Sequence, residues 1–139
     1  MKTILVVEDT DDDVFFLKRA LKSASIPNPV QVVEDGQKAL DYLSGAGAYA
    51  DRAMYPLPFL VLLDLKLPYV MGLDVLKWIR SQREFDPMIV AVLTSSQQDN
   101  DLTETTRLGG NFYFVKPPTP EKLSDLVRKL ATQTSHLMM

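Results

Sequence analysis

Five short apolar runs alternate along the chain with segments whose apolar residues recur at helical spacing. Within each run the apolar residues follow one another without polar alternation, which is typical of strands that are covered on both faces. We therefore predict five strands, over residues 4–7, 30–33, 59–63, 88–93 and 112–115.

The first predicted helix begins near Thr10 and carries three aspartates, Asp11–Asp13, in its first turn. Acidic side chains suit this position because the amino-terminal end of a helix is positively polarised. Five apolar residues at helical spacing are expected to face the core, whereas Phe15 lies on the opposite side and is expected to face solvent. The core-facing stripe consists of Phe16, Leu17, Ala20, Leu21 and Ala24.

Four further helices are predicted in the remaining connections. The second begins at Asp35, and the third covers residues 72–80 with Leu73, Leu76 and Ile79 facing inward. The fourth, over residues 97–108, is only weakly apolar. Thr119 caps the fifth, and Pro120 occupies its first turn, where a proline costs no hydrogen bond.

The repeated strand–helix order predicts an α/β fold of three layers, a (βα)5 arrangement in which helices cover both faces of a five-stranded parallel sheet. In such sheets, ligands bind beyond the carboxyl ends of the strands. The residues at those strand ends are therefore the candidates for a functional site.

Composition narrows the range of functions. The chain has 139 residues, of which 46% are hydrophobic and 24% charged, as expected for one globular domain. A formal charge of −3 provides no basic surface, so direct DNA binding is not expected. The chain has no cysteine and a single histidine, His136, which argues against thiol chemistry, a catalytic triad and a zinc site. No apolar run reaches the roughly 20 residues of a membrane span, and we expect a cytoplasmic protein.

The candidate site residues follow four of the five predicted strands. Each alone has an ordinary structural explanation, such as a turn, a helix cap or a surface lysine. Together they supply carboxylates for a divalent cation, a cation and a hydroxyl for phosphoryl oxygens, and a carboxylate nucleophile. The residues are Glu8, Asp9, Asp64, Thr94, Ser95 and Lys116.

The motifs VVED, LLDLKLP followed by Gly72, LTSS and FVKPP resemble, in this order and spacing, the receiver domain of bacterial two-component response regulators. The resemblance covers about residues 2–131 and implies a flavodoxin-like fold with strand order 2-1-3-4-5. The EDTDDD opening and the long connection over residues 44–58 are similar to stand-alone receivers paired with phytochrome-like histidine kinases.

The resemblance also implies a role for each site residue. Asp64 would be the phosphoacceptor, and Mg²⁺ or Mn²⁺ would be bound by Glu8, Asp9, Asp64 and the backbone carbonyl of Lys66. Thr94 and Lys116 would bind the phosphoryl group, and Tyr113 would be the switch aromatic. Ser95 and Pro117, the latter after a cis peptide bond, would support the site. Helical phase, and not the resemblance, places Asp13 on the inward face of the first helix near the site, where its hydrogen bonds could support the site.

The resemblance further implies a receiver domain over residues 1–131 and a short tail over 132–139 without an output domain. Such a protein would not be an enzyme in the ordinary sense, since it catalyses only its own phosphorylation and dephosphorylation. The expected partners are a sensor histidine kinase or a histidine phosphotransfer protein, and a separate output protein. A homodimer through the fourth helix, fifth strand and fifth helix is a further expectation, and Phe15 is a candidate partner contact.

Three alternatives compete with this interpretation. A metal-dependent phosphatase also has an aspartate nucleophile at a strand end, but it usually carries a second aspartate two residues later, where this chain has Lys66. A flavin-binding module would need a phosphate-binding loop after the first strand, and EDTDDD would repel a phosphate. A receiver that serves only as a scaffold would not need the complete set of site residues.

Overall fold

The computed structural model describes residues 2–95 and 99–137. Within them, five parallel strands form one sheet in the order β2-β1-β3-β4-β5, which confirms the predicted fold. The strands are β1 (Thr3–Val7), β2 (Val30–Val33), β3 (Pro58–Asp64), β4 (Ile89–Thr94) and β5 (Phe112–Val115). The helices are α1 (Asp11–Ser23), α2 (Gly36–Ser44), α3 (Gly72–Ser81), α4 (Asp99–Arg107) and α5 (Pro120–Leu137), with 3₁₀ turns at Gly47–Ala50 and Arg83–Phe85.

Helices cover the sheet on both sides because alternate residues of each strand point to opposite faces. In β1, Leu5 and Val7 pack in a cluster with buried residues of α2 and α3. Ile4 and Val6 pack in a second cluster with buried residues of α1 and α5. The central strands β1, β3 and β4 are buried over most of their length and are therefore largely apolar, whereas the edge strands β2 and β5 are only partly buried.

The strand register fixes which end residues meet. Val7 lies opposite Val33 and Leu63, and Asp64 lies opposite Leu93. Thr94 lies opposite Val115, the last residue of β5. The carboxyl ends of β1, β3, β4 and β5 therefore lie along one edge of the sheet.

The prediction that Phe16 faces the core is wrong. Its side chain is 51% exposed, whereas Leu17 is 4% and Leu21 3% exposed. Phe16 precedes the buried stripe by one residue, and it lines a small pocket at the end of the sheet together with Lys116 and Pro118. Phe15 is 59% exposed as predicted, and the two rings meet edge to face at 5.7 Å.

Side-chain caps are present at the predicted starts of α2 and α5: Thr119 was predicted as a cap, and Asp35, predicted as the first residue of its helix, is the cap that precedes Gly36. The Asp35 carboxylate accepts a hydrogen bond from the Lys38 backbone N–H at 2.7 Å, and the Thr119 hydroxyl accepts one from the Lys122 N–H at 3.2 Å. Such caps satisfy amide groups that have no partner within the helix.

The described residues give the bounds of α4 and α5. Residue 97, where the fourth helix was predicted to begin, lies outside the described residues, and α4 begins at Asp99 and ends at Arg107. Residues 132–137, predicted as part of a tail, continue α5. Among the described residues, no helix is both long and apolar enough to cross a membrane.

The long connection between α2 and β3 is built around Arg52. Its guanidinium donates hydrogen bonds to the carbonyls of Tyr42, Leu43 and Tyr55, at 2.7, 2.8 and 3.2 Å. The Tyr42 hydroxyl donates to the Pro56 carbonyl at 2.7 Å. These bonds satisfy the carboxyl-terminal carbonyls of α2 and fix the chain where it enters β3.

Candidate functional site

Four strand ends bring the predicted site residues together. Glu8 follows β1 and donates its backbone N–H to the Val33 carbonyl at 3.0 Å. Asp64 ends β3 and Thr94 ends β4, and the backbone N–H of Lys116 donates to the Thr94 carbonyl at 2.6 Å. The side chains of Glu8, Asp64 and Thr94 are buried, so the backbone and the packing around it hold them in place.

Lys116 is the electrostatic centre of the site. Its Nζ lies 2.7 Å from Glu8 Oε2, 2.7 Å from Asp64 Oδ2 and 2.9 Å from Asp13 Oδ2. An ammonium group has three N–H donors, and each of these carboxylates can take one. The side chains of Lys116, Glu8 and Asp64 are only 14%, 2% and 5% exposed, so water screens their ion pairs weakly.

Burial, hydrogen bonds and neighbouring charges shift the pKa values of Glu8 and Lys116. Burial raises the pKa of Glu8 to about 7, the hydrogen bond with Lys116 opposes this rise, and the charge of Asp64 adds to it. Burial alone would lower the pKa of Lys116, but hydrogen bonds with Asp64, Glu8 and Asp13 outweigh burial and raise it above its ordinary value. Lys116 therefore stays protonated at neutral pH, whereas the Glu8 carboxyl group binds and releases its proton near neutral pH.

The donor set fits a divalent cation. Glu8, Asp9 and Asp64 each offer a carboxylate oxygen, and these oxygens lie within 4.8 Å of one another. Glu8 and Asp64 are buried and Asp9 is exposed, which leaves one side of the group open to water. Hard cations such as Mg²⁺ and Mn²⁺ prefer carboxylate and water oxygens, and a bound cation would offset the cost of burying these charges.

Asp64 is oriented by its own loop. Its Oδ1 accepts a hydrogen bond from the Lys66 backbone N–H at 3.0 Å. The loop turns back at Gly72, whose N–H donates to the Leu65 carbonyl at 3.0 Å. A Cβ atom at Gly72 would lie 2.2 Å from the Asp64 carbonyl oxygen and 2.7 Å from the Leu65 Cα. Only glycine allows this close approach of α3 to the end of β3.

Gly72→Ala is therefore expected to lower the free energy of unfolding by about 2 kcal/mol, because the new methyl group must displace backbone atoms. Urea unfolding measures this change, and the exposed neighbour Met71 provides the control variant Met71→Ala. Equal stability of the two variants would contradict the close packing.

The structure places the remaining predicted residues around this centre. Ser95 is exposed just beyond β4. Tyr113 is half-buried against the core cluster on the α2–α3 side and lies opposite Val92, on the same face of the sheet as Thr94. The peptide bond between Lys116 and Pro117 is cis, as predicted. Phe15 is exposed to solvent, as predicted.

Two contacts at the site were not predicted from the sequence. The Thr10 backbone N–H donates to Glu8 Oε1 at 3.2 Å, which links this candidate metal-binding carboxylate to the start of α1. The space beside Lys116 is bordered by Phe16, which the periodicity had assigned to the core. The polar stretch before α1 was the available signal for the first contact, and no sequence signal indicated the second.

The family is defined by a match over most of the chain. The sequence pattern of the response regulator receiver domain matches residues 4–128. The chain therefore belongs to the response regulator receiver family, whose members are phosphoacceptor domains of two-component signalling and not classical enzymes. This membership confirms the resemblance carried by the four motifs.

The similar proteins include phytochrome response regulators. The structure of the bacteriophytochrome response regulator AtBRR is 38% identical, with a TM-score of 0.82, over 94% of this chain and 93% of that one. The phosphorylated cyanobacterial phytochrome response regulator RcpA is 33% identical, with a TM-score of 0.78, over 93% of this chain and 90% of that one.

Response regulator Rcp1 of Synechocystis sp. (strain PCC 6803) is 32% identical over 91% of this chain and 84% of its own length. The Mn²⁺-bound form of Rcp1 has a TM-score of 0.76 over 94% of this chain and 91% of that one. These similarities agree with the narrower resemblance to phytochrome-associated receivers.

Proposed function

We propose that this protein accepts a phosphoryl group on Asp64 from a sensor histidine kinase or a histidine phosphotransfer protein. Receiver domains accept phosphate from histidine kinases, and the chain belongs to that family. The observation that carries the assignment to Asp64 is its position: it is buried, it pairs with Lys116 and it belongs to the acidic group.

In the proposed reaction, the phosphoryl group moves from a histidine of the donor to Asp64. A carboxylate oxygen of Asp64 forms a bond to phosphorus while the bond from phosphorus to the donor histidine nitrogen breaks, and the electron pair of that bond stays on the nitrogen. Water later attacks the phosphorus, which releases inorganic phosphate and restores the Asp64 carboxylate. Lys116 donates hydrogen bonds to phosphoryl oxygens, and Thr94 lies at the next strand end, where its hydroxyl can do the same.

We assign the cation to Glu8, Asp9, Asp64 and the backbone carbonyl of Lys66. Mg²⁺ or Mn²⁺ bound there would neutralise charge that develops on the phosphoryl oxygens. Support comes from the group of carboxylate oxygens and from Rcp1, a relative whose structure holds Mn²⁺. Ser95 and Pro117 support the site by flanking Thr94 and Lys116.

The proposal is tested with acetyl phosphate as the phosphoryl donor. With Mg²⁺, intact-mass measurement should show one added phosphoryl group, and peptide mapping should place it at residue 64. With EDTA in place of Mg²⁺, the adduct should not form. Adduct formation at another residue, or none with Mg²⁺ present, would refute the assignment. Steady turnover of p-nitrophenyl phosphate would favour the metal-dependent phosphatase instead.

The proposed output is a protein contact in the cytoplasm. The surface formed by β5 and α5 carries a cavity of about 270 Å³ lined in part by Phe112, Phe114 and Leu126. Lys129 lies 6.0 Å from the centre of the Phe112 ring. Because β5 is an edge strand, this surface together with α4 is suited to a separate output protein or to a second copy in a homodimer. In this proposal, Thr94 and Tyr113 relay the state of Asp64 to that surface.

Phe15 is proposed to contact the phosphoryl donor. It is a 59% exposed aromatic residue on the first turns of α1, the helix that also supplies Asp13 to the site. Phe15→Ala is expected to slow transfer from the cognate kinase about tenfold while the rate with acetyl phosphate stays unchanged, since truncation of an interface side chain that matters for binding costs more than about 1 kcal/mol. Met54→Ala is a matched control, because Met54 is exposed to a similar extent elsewhere. Equal kinase rates for both variants would reject the role of Phe15.

A further inference from the structure

Asp13 differs from the other partners of Lys116. The acidic group that can hold a cation consists of Glu8, Asp9 and Asp64, and Asp13 is not part of it. Asp13 nevertheless lies 2.9 Å from Lys116 Nζ, through a carboxylate oxygen on the first turn of α1. Of the three carboxylates that bind the Lys116 ammonium, Asp13 alone is not an expected ligand of the divalent cation.

This difference affects Lys116 when a divalent cation occupies the acidic group. When the charges of Glu8 and Asp64 are compensated by a cation, their attraction for Lys116 weakens, since each carboxylate then serves two positive charges. The attraction between Asp13 and Lys116 is unaffected by this competition. Asp13 is therefore the partner that still holds the ammonium when phosphoryl oxygens need its other N–H donors.

The surroundings strengthen the Asp13–Lys116 pair. Phe16, Leu17 and Leu93 border it, together with the two prolines that follow Lys116. The Asp13 side chain is 39% exposed, but the Lys116 side chain is only 14% exposed. A hydrogen bond between charged groups gains strength beside apolar side chains. A lysine has four flexible side-chain bonds, so a fixed acceptor restricts the directions in which its N–H groups point.

We propose that Asp13 is a positioning residue that holds the Lys116 ammonium, by a hydrogen bond, in the orientation that receives the phosphoryl group on Asp64. The inference rests on the proposed function and adds a residue outside the cation-binding group. The opposite possibility is that Asp13 competes with the phosphoryl group for Lys116. In that case its removal would accelerate phosphorylation.

Two substitutions distinguish these roles. Asp13→Asn keeps an oxygen that can accept the hydrogen bond from Lys116 but removes the charge, and Asp13→Ala removes both. Asp12→Ala is the matched control, because Asp12 is an exposed aspartate in the same first turn of α1. It removes the same favourable charge from the helix end without contacting Lys116.

The experiment measures the rate of labelling by acetyl phosphate at saturating Mg²⁺, together with the NMR signal of the Lys116 ammonium nitrogen. Asp13→Ala is expected to slow labelling roughly tenfold, the usual effect of losing a residue that orients a site group. It should also shift or broaden the Lys116 signal. Asp12→Ala should stay close to the wild-type rate. Asp13→Asn keeps the acceptor oxygen but loses the charge, so it should slow labelling less than Asp13→Ala does.

Three results would overturn the inference: equal rates for Asp13→Ala and Asp12→Ala, faster labelling in both Asp13 variants, or equally slow labelling in both. If wild-type protein is not labelled, the proposed function fails. The Lys116 signal then still reports whether Asp13 holds the ammonium. If wild-type protein is labelled and the Asp13→Ala rate is unchanged, only this inference fails.

Discussion

Asp64→Asn is expected to abolish labelling by acetyl phosphate, with a rate loss of roughly a thousandfold or more. Asparagine has nearly the same shape, and its amide oxygen can still accept a hydrogen bond from the Lys66 N–H or from Lys116. It lacks the negative carboxylate oxygen that attacks phosphorus. The fold should therefore survive while the chemistry is lost.

Intact-mass measurement with Mg²⁺ and acetyl phosphate checks this expectation, and peptide mapping of residue 64 locates any adduct. Asp12→Asn is the control, because it makes the same chemical change at an exposed position of α1. A phosphoryl adduct of normal yield on the Asp64→Asn protein would show that another side chain is the acceptor.

Lys116→Met is expected to have the largest effect on stability. It leaves the buried carboxylates of Glu8 and Asp64 without the ammonium that pairs with both. Loss of one member of a buried ion pair costs about 3–5 kcal/mol, because the remaining charge is neither paired nor well hydrated. In EDTA at pH 8, the free energy of unfolding should fall by about 3 kcal/mol.

The loss of unfolding free energy in Lys116→Met should depend on pH and on whether a divalent cation is bound. Burial already raises the pKa of Glu8 to about 7, and the hydrogen bond with Lys116 restrains that rise. An acid whose pKa is raised by folding binds its proton more tightly in the folded state. The free energy of unfolding therefore falls as pH rises from the ordinary pKa of 4.5 to the raised pKa of about 7. Without Lys116 the pKa rises further, and the loss should be smaller at pH 6 than at pH 8.

Urea unfolding in EDTA and in Mg²⁺, at both pH values, measures these effects. Mg²⁺ should recover part of the lost stability, since it supplies positive charge to the same carboxylates. Lys122→Met is the control at an exposed lysine of α5. A Lys116→Met protein as stable as this control in EDTA at pH 8 would contradict the central role of the ammonium.

The stability and the chemistry of this site are linked through the same charges. Two of the three carboxylates that suit a cation, Glu8 and Asp64, are buried, and Lys116 offsets much of the cost of burying their charges. Because Lys116 binds the acidic group in this structure, it is already beside Asp64, at 2.7 Å, where phosphoryl oxygens are expected. The lysine therefore pairs with the buried carboxylates in this structure, and in the proposed function the same ammonium also binds the phosphoryl group.

Local sequence was sufficient to predict the elements and the site's composition. The apolar runs predicted all five strands because strands of a parallel sheet are buried on both faces, and burial leaves a direct imprint on sequence. The residues after those strands could be assigned to one edge because parallel strands share their direction. Asp35 and Thr119 were predictable because a helix cap depends on neighbours in sequence.

Other features depended on contacts between distant parts of the chain. Periodicity placed Phe16 in the core, but the core ends before Phe16, and only the packing of α1 against the sheet shows where it ends. Arg52 gave no local signal, because its three carbonyl partners become neighbours only when the connection folds back on α2. A pattern of residue types does not contain such distances.

The sequence by itself determined the order of the elements, the parallel sheet and the identity of the acidic, hydroxyl and basic groups at its edge. The tertiary structure decided that Lys116 binds Glu8, Asp13 and Asp64 together, across 103 residues in the case of Asp13. It also decided that burial raises the pKa of Glu8. The physical reason is that charge interactions depend on distance and on access to water, and both are set only when remote segments pack.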